Sequence, residues 1–173
     1  MATLIVICGL SFSGKSTLAK AITARLGYEE IDVDTVGATL YELDIDDERL
    51  KQLDWDTVYE EADRIIEGRL KSGATVIDAS RNFTKKEREL AHEVAKRSDA
   101  KFITIFIDTP EAVARHRRSV NKRSGARRDI TDEQFEEIVQ VMQPPTEDEH
   151  PLVFHDDEEL DTWIDRNAAN WGG

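Results

Sequence analysis

Cys8 is the only cysteine in the 173-residue sequence, so no internal disulfide can form and a reducing, cytoplasmic setting is expected. No apolar run approaches the ~20 residues that crossing a bilayer requires, which argues against a membrane partner. The apolar opening from Met1 to Cys8 has no basic flank and no small-residue cleavage site, and it runs straight into a glycine. It reads as a strand rather than a signal peptide. Basic charge is also scarce: 23 Lys and Arg stand against 36 Asp and Glu, a net charge of −13. Long nucleic acid is a poor partner for such a surface, because duplex binding rests on neutralising phosphates. His92, His116, His150 and His155 lack metal-ligand spacing. No repeat, low-complexity tract or linker interrupts the chain, and one domain over 1–173 is expected.

What remains is strongly patterned. Thr3 to Cys8 (TLIVIC) is a β-branched run of the kind buried on both faces of a sheet. Lys15 to Leu26 follows at helical spacing, with Leu18, Ile22 and Leu26 on one stripe and Gly27 at its end. Glu29 to Val33 reads as a second strand, and Trp55 to Leu70 as a helix closing at Gly73. Ala74 to Asp78 is a third strand. Thr84-Lys-Lys-Glu87 is a capping box opening a helix to about Lys96, with Leu90, Ala91, Val94 and Ala95 inward. Phe102 to Ile107 is the clearest strand, and Thr109-Pro110 supplies an N-cap and N1 proline for the next helix. A second capping box, Thr131 to Gln134, precedes Phe135, Ile138, Val139 and Met142. Leu152 to Phe154 is a last short strand and Leu160, Trp163 and Ile164 suit a closing helix, with a frayed tail at 171–173. Strands alternating with helices imply an α/β fold whose parallel sheet is covered on both faces. Ligands gather at the carboxyl ends of such strands, where Gly9, Asp32, Asp34, Asp78 and Asp108 fall.

Gly9-Leu-Ser-Phe-Ser-Gly14-Lys15-Ser16 matches GxxxxGK[ST] between a hydrophobic strand and an amphipathic helix, the context that a phosphate-binding loop requires. Glycines let the backbone curl so that successive N–H groups point inward, and the helix N-terminus adds positive potential. Gly9, Ser11, Phe12, Ser13, Gly14, Lys15, Ser16 and Thr17 are therefore expected to hold ATP. Lys15 would reach the β- and γ-phosphates, Ser16 would ligate Mg2+, and Thr17 would lie on the α-phosphate side.

Three further features bear on the reaction. Asp32-Val-Asp34 ends the second strand; one carboxylate facing the crevice could take the proton of an acceptor hydroxyl, while either could instead cap the following helix. Alternation along a strand would send one inward and one to the flank, and Asp34 is favoured as the base. Asp78, at the end of a buried strand, is a candidate Mg2+ ligand, with Ser80, Arg81 and Asn82 following as acceptor contacts. Arg115, Arg117, Arg118, Lys122, Arg123, Arg127 and Arg128 concentrate positive charge in an otherwise acidic chain. They suit a lid over about 115–142 that closes on the phosphates.

With these stretches the chain resembles the small P-loop kinases related to the kinase domain of polynucleotide kinase, chloramphenicol phosphotransferase and the zeta toxins. The matching runs are Leu4–Thr17, Gly27–Asp34, Gly73–Ser80, Phe106–Pro110 and Gln143–Glu149. The resemblance implies a three-layer P-loop NTPase fold with a mostly five-stranded parallel sheet and an Arg-rich helical lid. By the same resemblance Asp34 activates the acceptor hydroxyl, and Arg123, then Arg117, is the lid arginine. These kinases often carry Asp-x-Thr-Asn after the third strand, where this chain has Asp78-Ala-Ser-Arg-Asn82. The implied activity is transfer of the ATP γ-phosphoryl group to a hydroxyl of a small molecule or nucleotide. The alternatives are a regulatory nucleotide-binding protein without an acceptor and a kinase of RNA or polynucleotide ends. A GTPase switch is disfavoured: Asp34-Thr-Val-Gly37 follows the loop too closely, and Asn121-Lys-Arg-Ser lacks a guanine-reading aspartate. Segment 37–72, with Tyr41, Trp55 and Tyr59, is expected to form the acceptor side.

Overall fold

The computed structural model describes residues 1–126, 129–169 and 171. In chain order the elements are β1 (Thr3–Cys8), α1 (Lys15–Leu26), β2 (Glu29–Ile31), α2 (Val33–Leu40), α3 (Trp55–Lys71), β3 (Thr75–Asp78), α4 (Lys85–Arg97), β4 (Lys101–Asp108), α5 (Glu111–Ser124), α6 (Asp132–Val141), β5 (Leu152–His155) and α7 (Leu160–Ala168). Short 3-10 turns occupy Glu48–Gln52 and Glu147–Glu149.

The five strands form one sheet in the order β2-β3-β1-β4-β5, and every neighbouring pair is parallel. Every residue of the central strand β1 is buried. Side chains alternate across a strand, so Ile5, Ile7, Ile103, Ile105 and Ile107 pack on one face with Leu18, Ile22, Trp163 and Ile164 of α1 and α7. Leu4, Val6 and Val76 pack on the other with Ile66, Leu70, Ala91, Val94 and Ala95 of α3 and α4. This is the three-layer α/β/α arrangement of P-loop NTPases.

Local chemistry sets the element ends. Gly27 terminates α1 at φ 71°, a left-handed conformation that costs glycine little. Both expected capping boxes form, Thr84 with Glu87 and Thr131 with Gln134. Four expectations need correcting. β2 stops at Ile31, because Asp32 caps α2 through its side chain and Val33 is already helical. Leu90 is exposed; Arg88, not Leu90, shares the inner face of α4 with Ala91, Val94 and Ala95. Thr109 does not cap α5: Pro110 holds the N-cap position, and the Thr109 hydroxyl reaches elsewhere. Trp171 is not frayed but fully buried, 5.8 Å from Trp163 between ring centroids. Gly172 and Gly173 lie outside the described residues.

Candidate active site

The loop from Gly9 to Gly14 leaves β1 and turns into α1. Gly9 has φ 148°, and a Cβ there would stand 2.9 Å from the Ile107 carbonyl oxygen and 3.0 Å from Ser13 Oγ. No side chain fits without shifting backbone. Gly14, at φ 113°, caps α1 with no side-chain bond. The amides of Ser16 and Thr17 therefore lie in the opening turn of a helix, the place that receives anions. Ser16 and Thr17 are exposed, while Lys15 is buried. Lys15 Nζ donates to the carbonyls of Gly9 and Leu10, 2.9 Å each, and lies 4.9 Å above the Phe83 ring. Ser11 is half-buried on the same loop.

Phe83 is fixed by a clamp that sequence patterns did not reveal. The Gln143 amide donates to the Phe83 carbonyl at 2.9 Å, and Gln143 Oε1 accepts from the Lys85 amide at 2.9 Å. Arg88, almost wholly buried, forks onto Glu149 at 2.6 and 3.0 Å and donates to the Asn82 carbonyl at 3.3 Å. The run 143–149 thus holds the loop after β3 beneath Lys15. Asn82 takes a left-handed φ of 75° in that loop. Cys8, buried nearby, has its thiol pushed up to about 12, chiefly by burial.

Asp32 and Asp34 follow β2, and Asp78 ends β3, the strand between β2 and β1. Asp32 accepts from the Asp34 amide at 3.1 Å and the Thr35 hydroxyl at 3.2 Å, so it caps α2. Asp34 sits in the first turn of α2 and is half-buried. The two carboxylates differ because one is a cap and the other is helical, not because a strand alternates them. Asp78 pairs in register with Val6, below the level of the loop, and is almost fully buried. Its Oδ2 accepts from Arg81 Nε at 2.8 Å and its Oδ1 from the Ser80 hydroxyl at 3.3 Å. Arg81 is also bonded to Asp63 of α3 and lies 5.3 Å over the Tyr59 ring. Burial pulls the Arg81 pKa down, but Asp78 and Asp63 more than offset it and the net direction is up. Tyr59 is pushed up by burial and then by Glu87. Arg81, expected among acceptor contacts, is therefore an internal brace between β3 and α3.

The basic run of α5 is largely engaged. Arg115 pairs with Glu111 and Glu136, Arg118 with Asp129 and Asp132, and Lys122 with Asp132. Phe135 of α6 lies between them, 5.2 Å from Arg115 and 5.0 Å from Arg118, and 6.4 Å from the Phe12 ring. Phe12, Ala114 and Phe135 form a small core with Leu10 and Ile130 against it, which docks the helical pair onto the loop. Arg117 donates to the Ser13 carbonyl at 3.0 Å and to Asp156 at 2.6 Å. Arg123 is exposed in the last turn of α5; Arg127 and Arg128 lie outside the described residues. Thr17, Arg117, Asn121, Phe154, Asp156 and Leu160 line a cavity of about 590 Å³ beside the loop, roomy enough for a nucleoside.

A family model described as an AAA domain matches residues 4–145. The chain belongs to the AAA domain family. No curated protein matches the sequence. Among solved structures, this AAA domain is similar to a gluconokinase from Sinorhizobium meliloti 1021 at a TM-score of 0.64 and 20% identity, over 96% of this chain and 90% of that one. It is similar to Chaetomium thermophilum Kti12 in complex with ADP-AlF3 at 0.70 and 20%, over 98% and 100%. The Mycobacterium tuberculosis APS kinase CysC in complex with AMPPNP and APS gives 0.62 and 18%, over 97% and 96%. At such identities the likeness establishes the fold, a P-loop fold shared with kinases. Among the described residues no helix is long and apolar enough to cross a membrane.

Proposed function

We propose that the protein is an ATP-dependent phosphotransferase that moves the γ-phosphoryl group to a hydroxyl of a small molecule or nucleotide. The observation that carries this reading is the convergence of three adjacent strand ends: the phosphate loop after β1, Asp78 ending β3, and Asp34 after β2. A triphosphate held on one side of that crevice faces a carboxylate on the other, the layout that in-line transfer to a hydroxyl needs.

In this reading the loop amides and Lys15 hold the phosphates, and binding draws Lys15 Nζ from the Gly9 and Leu10 carbonyls. The nucleoside occupies the cavity lined by Thr17, Asn121 and Leu160. Asp34 orients the acceptor hydroxyl and takes its proton. Of the two lid arginines, Arg123 would be the one to reach the phosphates, while Arg117 is held on the Ser13 carbonyl. Mg2+ chemistry fits the donor set in part. Ser16 is exposed on the first turn of α1, whereas both oxygens of Asp78 are already engaged, so Asp78 suits contact through water. When bound, the ion would neutralise charge on the transferring phosphoryl group.

A second reading has its own support. The engagement of Asp78 by Arg81 favours a nucleotide-binding protein with no dedicated acceptor. One experiment separates the two: ATP turnover is measured with and without a panel of polyols, sugars, nucleosides and oligonucleotide ends. Phosphorylated product appearing with one acceptor class supports the transferase. Slow hydrolysis indifferent to every acceptor overturns it.

A further inference from the structure

Thr109 stands in the Asp108-Thr-Pro110 run, where a helix cap was expected, yet it caps nothing. Its buried hydroxyl crosses to the phosphate loop and lies 3.1 Å from the Ser13 carbonyl oxygen, a partner 96 positions earlier in the chain. The same oxygen accepts from Arg117 Nη1 at 3.0 Å. Asp156, just beyond β5, closes the group: its Oδ1 lies 2.6 Å from Arg117 Nη2 and 3.2 Å from Thr109 Oγ1. Thr109 has one proton for two acceptors, so its hydroxyl is shared between them, while the guanidinium supplies both.

The consequence lies in the peptide plane. A trans peptide directs its C=O and the following N–H in opposite directions. Pinning the Ser13 carbonyl against β4 and α5 therefore turns the Gly14 N–H the other way, to the side of the loop that faces the phosphates. Without that hold the Ser13–Gly14 unit is free to rotate, because Gly14 at φ 113° has no side chain to stop it. We infer that Thr109 is a positioning residue that, with Arg117 and Asp156, sets the Ser13–Gly14 peptide so that its amide serves the β-phosphate. The inference rests on the nucleotide-binding part of the reading above and adds a residue that no loop motif contains.

Calorimetric titration of wild type, Thr109→Val and Thr109→Ser with ADP and with AMP tests it. Loss of the hydroxyl in T109V is expected to weaken ADP about tenfold, the worth of one hydrogen bond. AMP, which lacks the β-phosphate, should change less than about twofold on the same scale. T109S should restore ADP binding. Equal weakening of ADP and AMP overturns the inference, since a merely structural defect would move both. Unchanged ADP affinity in T109V overturns it as well. Should T109V fail to fold, Thr109→Ala, which adds no methyl beside the loop, replaces it under the same criteria. Failure of wild type to bind either nucleotide would instead remove the nucleotide reading itself, and the two failures are distinguishable.

Discussion

The ammonium of Lys15 stands 4.9 Å from the centroid of the Phe83 ring while its protons reach the carbonyls of Gly9 and Leu10. A cation over an aromatic face keeps that attraction while its protons turn from one set of oxygen acceptors to another. Lys15→Ala is expected to lower ATP turnover by about 10³-fold or more, as loss of a phosphate clamp does. Its far-UV spectrum and melting curve should stay close to wild type. Turnover that survives in the variant would remove Lys15 from the site.

Asp32 and Asp34 are two residues apart and should separate cleanly by experiment. Asp32→Ala removes a cap from α2, worth about 1 kcal/mol, and should lower Tm by about 2–4 °C with kcat nearly unchanged. Asp34→Asn should leave Tm alone and lower kcat about 10²-fold or more, the scale of lost general-base assistance. The reverse pattern would hand the role to Asp32.

The Cys8 thiol, pushed up to about 12 by burial, should be inert to a thiol reagent such as DTNB at pH 8 in the folded protein and react promptly in 6 M urea, a reagent concentration chosen to unfold it. Linkage follows the same sign. A thiol whose folded pKa lies above its unfolded value contributes stability fully below the unfolded value, and that contribution fades as pH rises toward about 12. Rapid labelling at pH 8 without denaturant would mean that β1 opens readily.

Glu149 predicts a loss on the acid side. Burial alone would raise its pKa, but the bonds from Arg88 and the Thr146 amide outweigh that and leave it below the ordinary value. Its stabilising effect is therefore complete above the unfolded value and disappears as pH falls through the lowered folded one. Glu149→Gln should cost about 2–3 kcal/mol at pH 7, because Arg88 keeps its charge in a buried place. The gap between wild type and variant in urea melts should close as pH falls below about 4, beneath the ordinary glutamate range. A constant gap from pH 7 to 3, the range scanned, would mean the ion pair contributes nothing through charge.

Much of this architecture was legible because its signals are local. β1 and α1 have the bounds that the apolar run, the glycine loop and Gly27 imply. Both capping boxes close as written. The phosphate loop is local too, so Gly9 to Ser16 could be read directly. What escaped depends on partners far along the chain. Arg88 reads as a surface residue until Glu149, 61 positions later, neutralises it inside. Arg81 reads as a substrate contact until Asp63 and Asp78 claim it. Asp32-Val-Asp34 read as strand because Val33 is β-branched; the side-chain cap at Asp32 wins there. Trp171 follows a polar helix end, and its burial comes from joining the core cluster of Trp163, Ile103 and Ile105, with its ring tilted against Trp163.

The contact between Phe12 and Phe135 changes what the loop signature means as information. GxxxxGK[ST] leaves four letters unspecified, as though any residue would serve at 10 to 13. In this chain Leu10 and Phe12 carry the address of the helical pair α5–α6. The fixed letters say what is bound; the blank ones say which covering belongs to this loop. Exchanging the loop for another with identical fixed letters would keep the phosphate grip and sever it from its own roof.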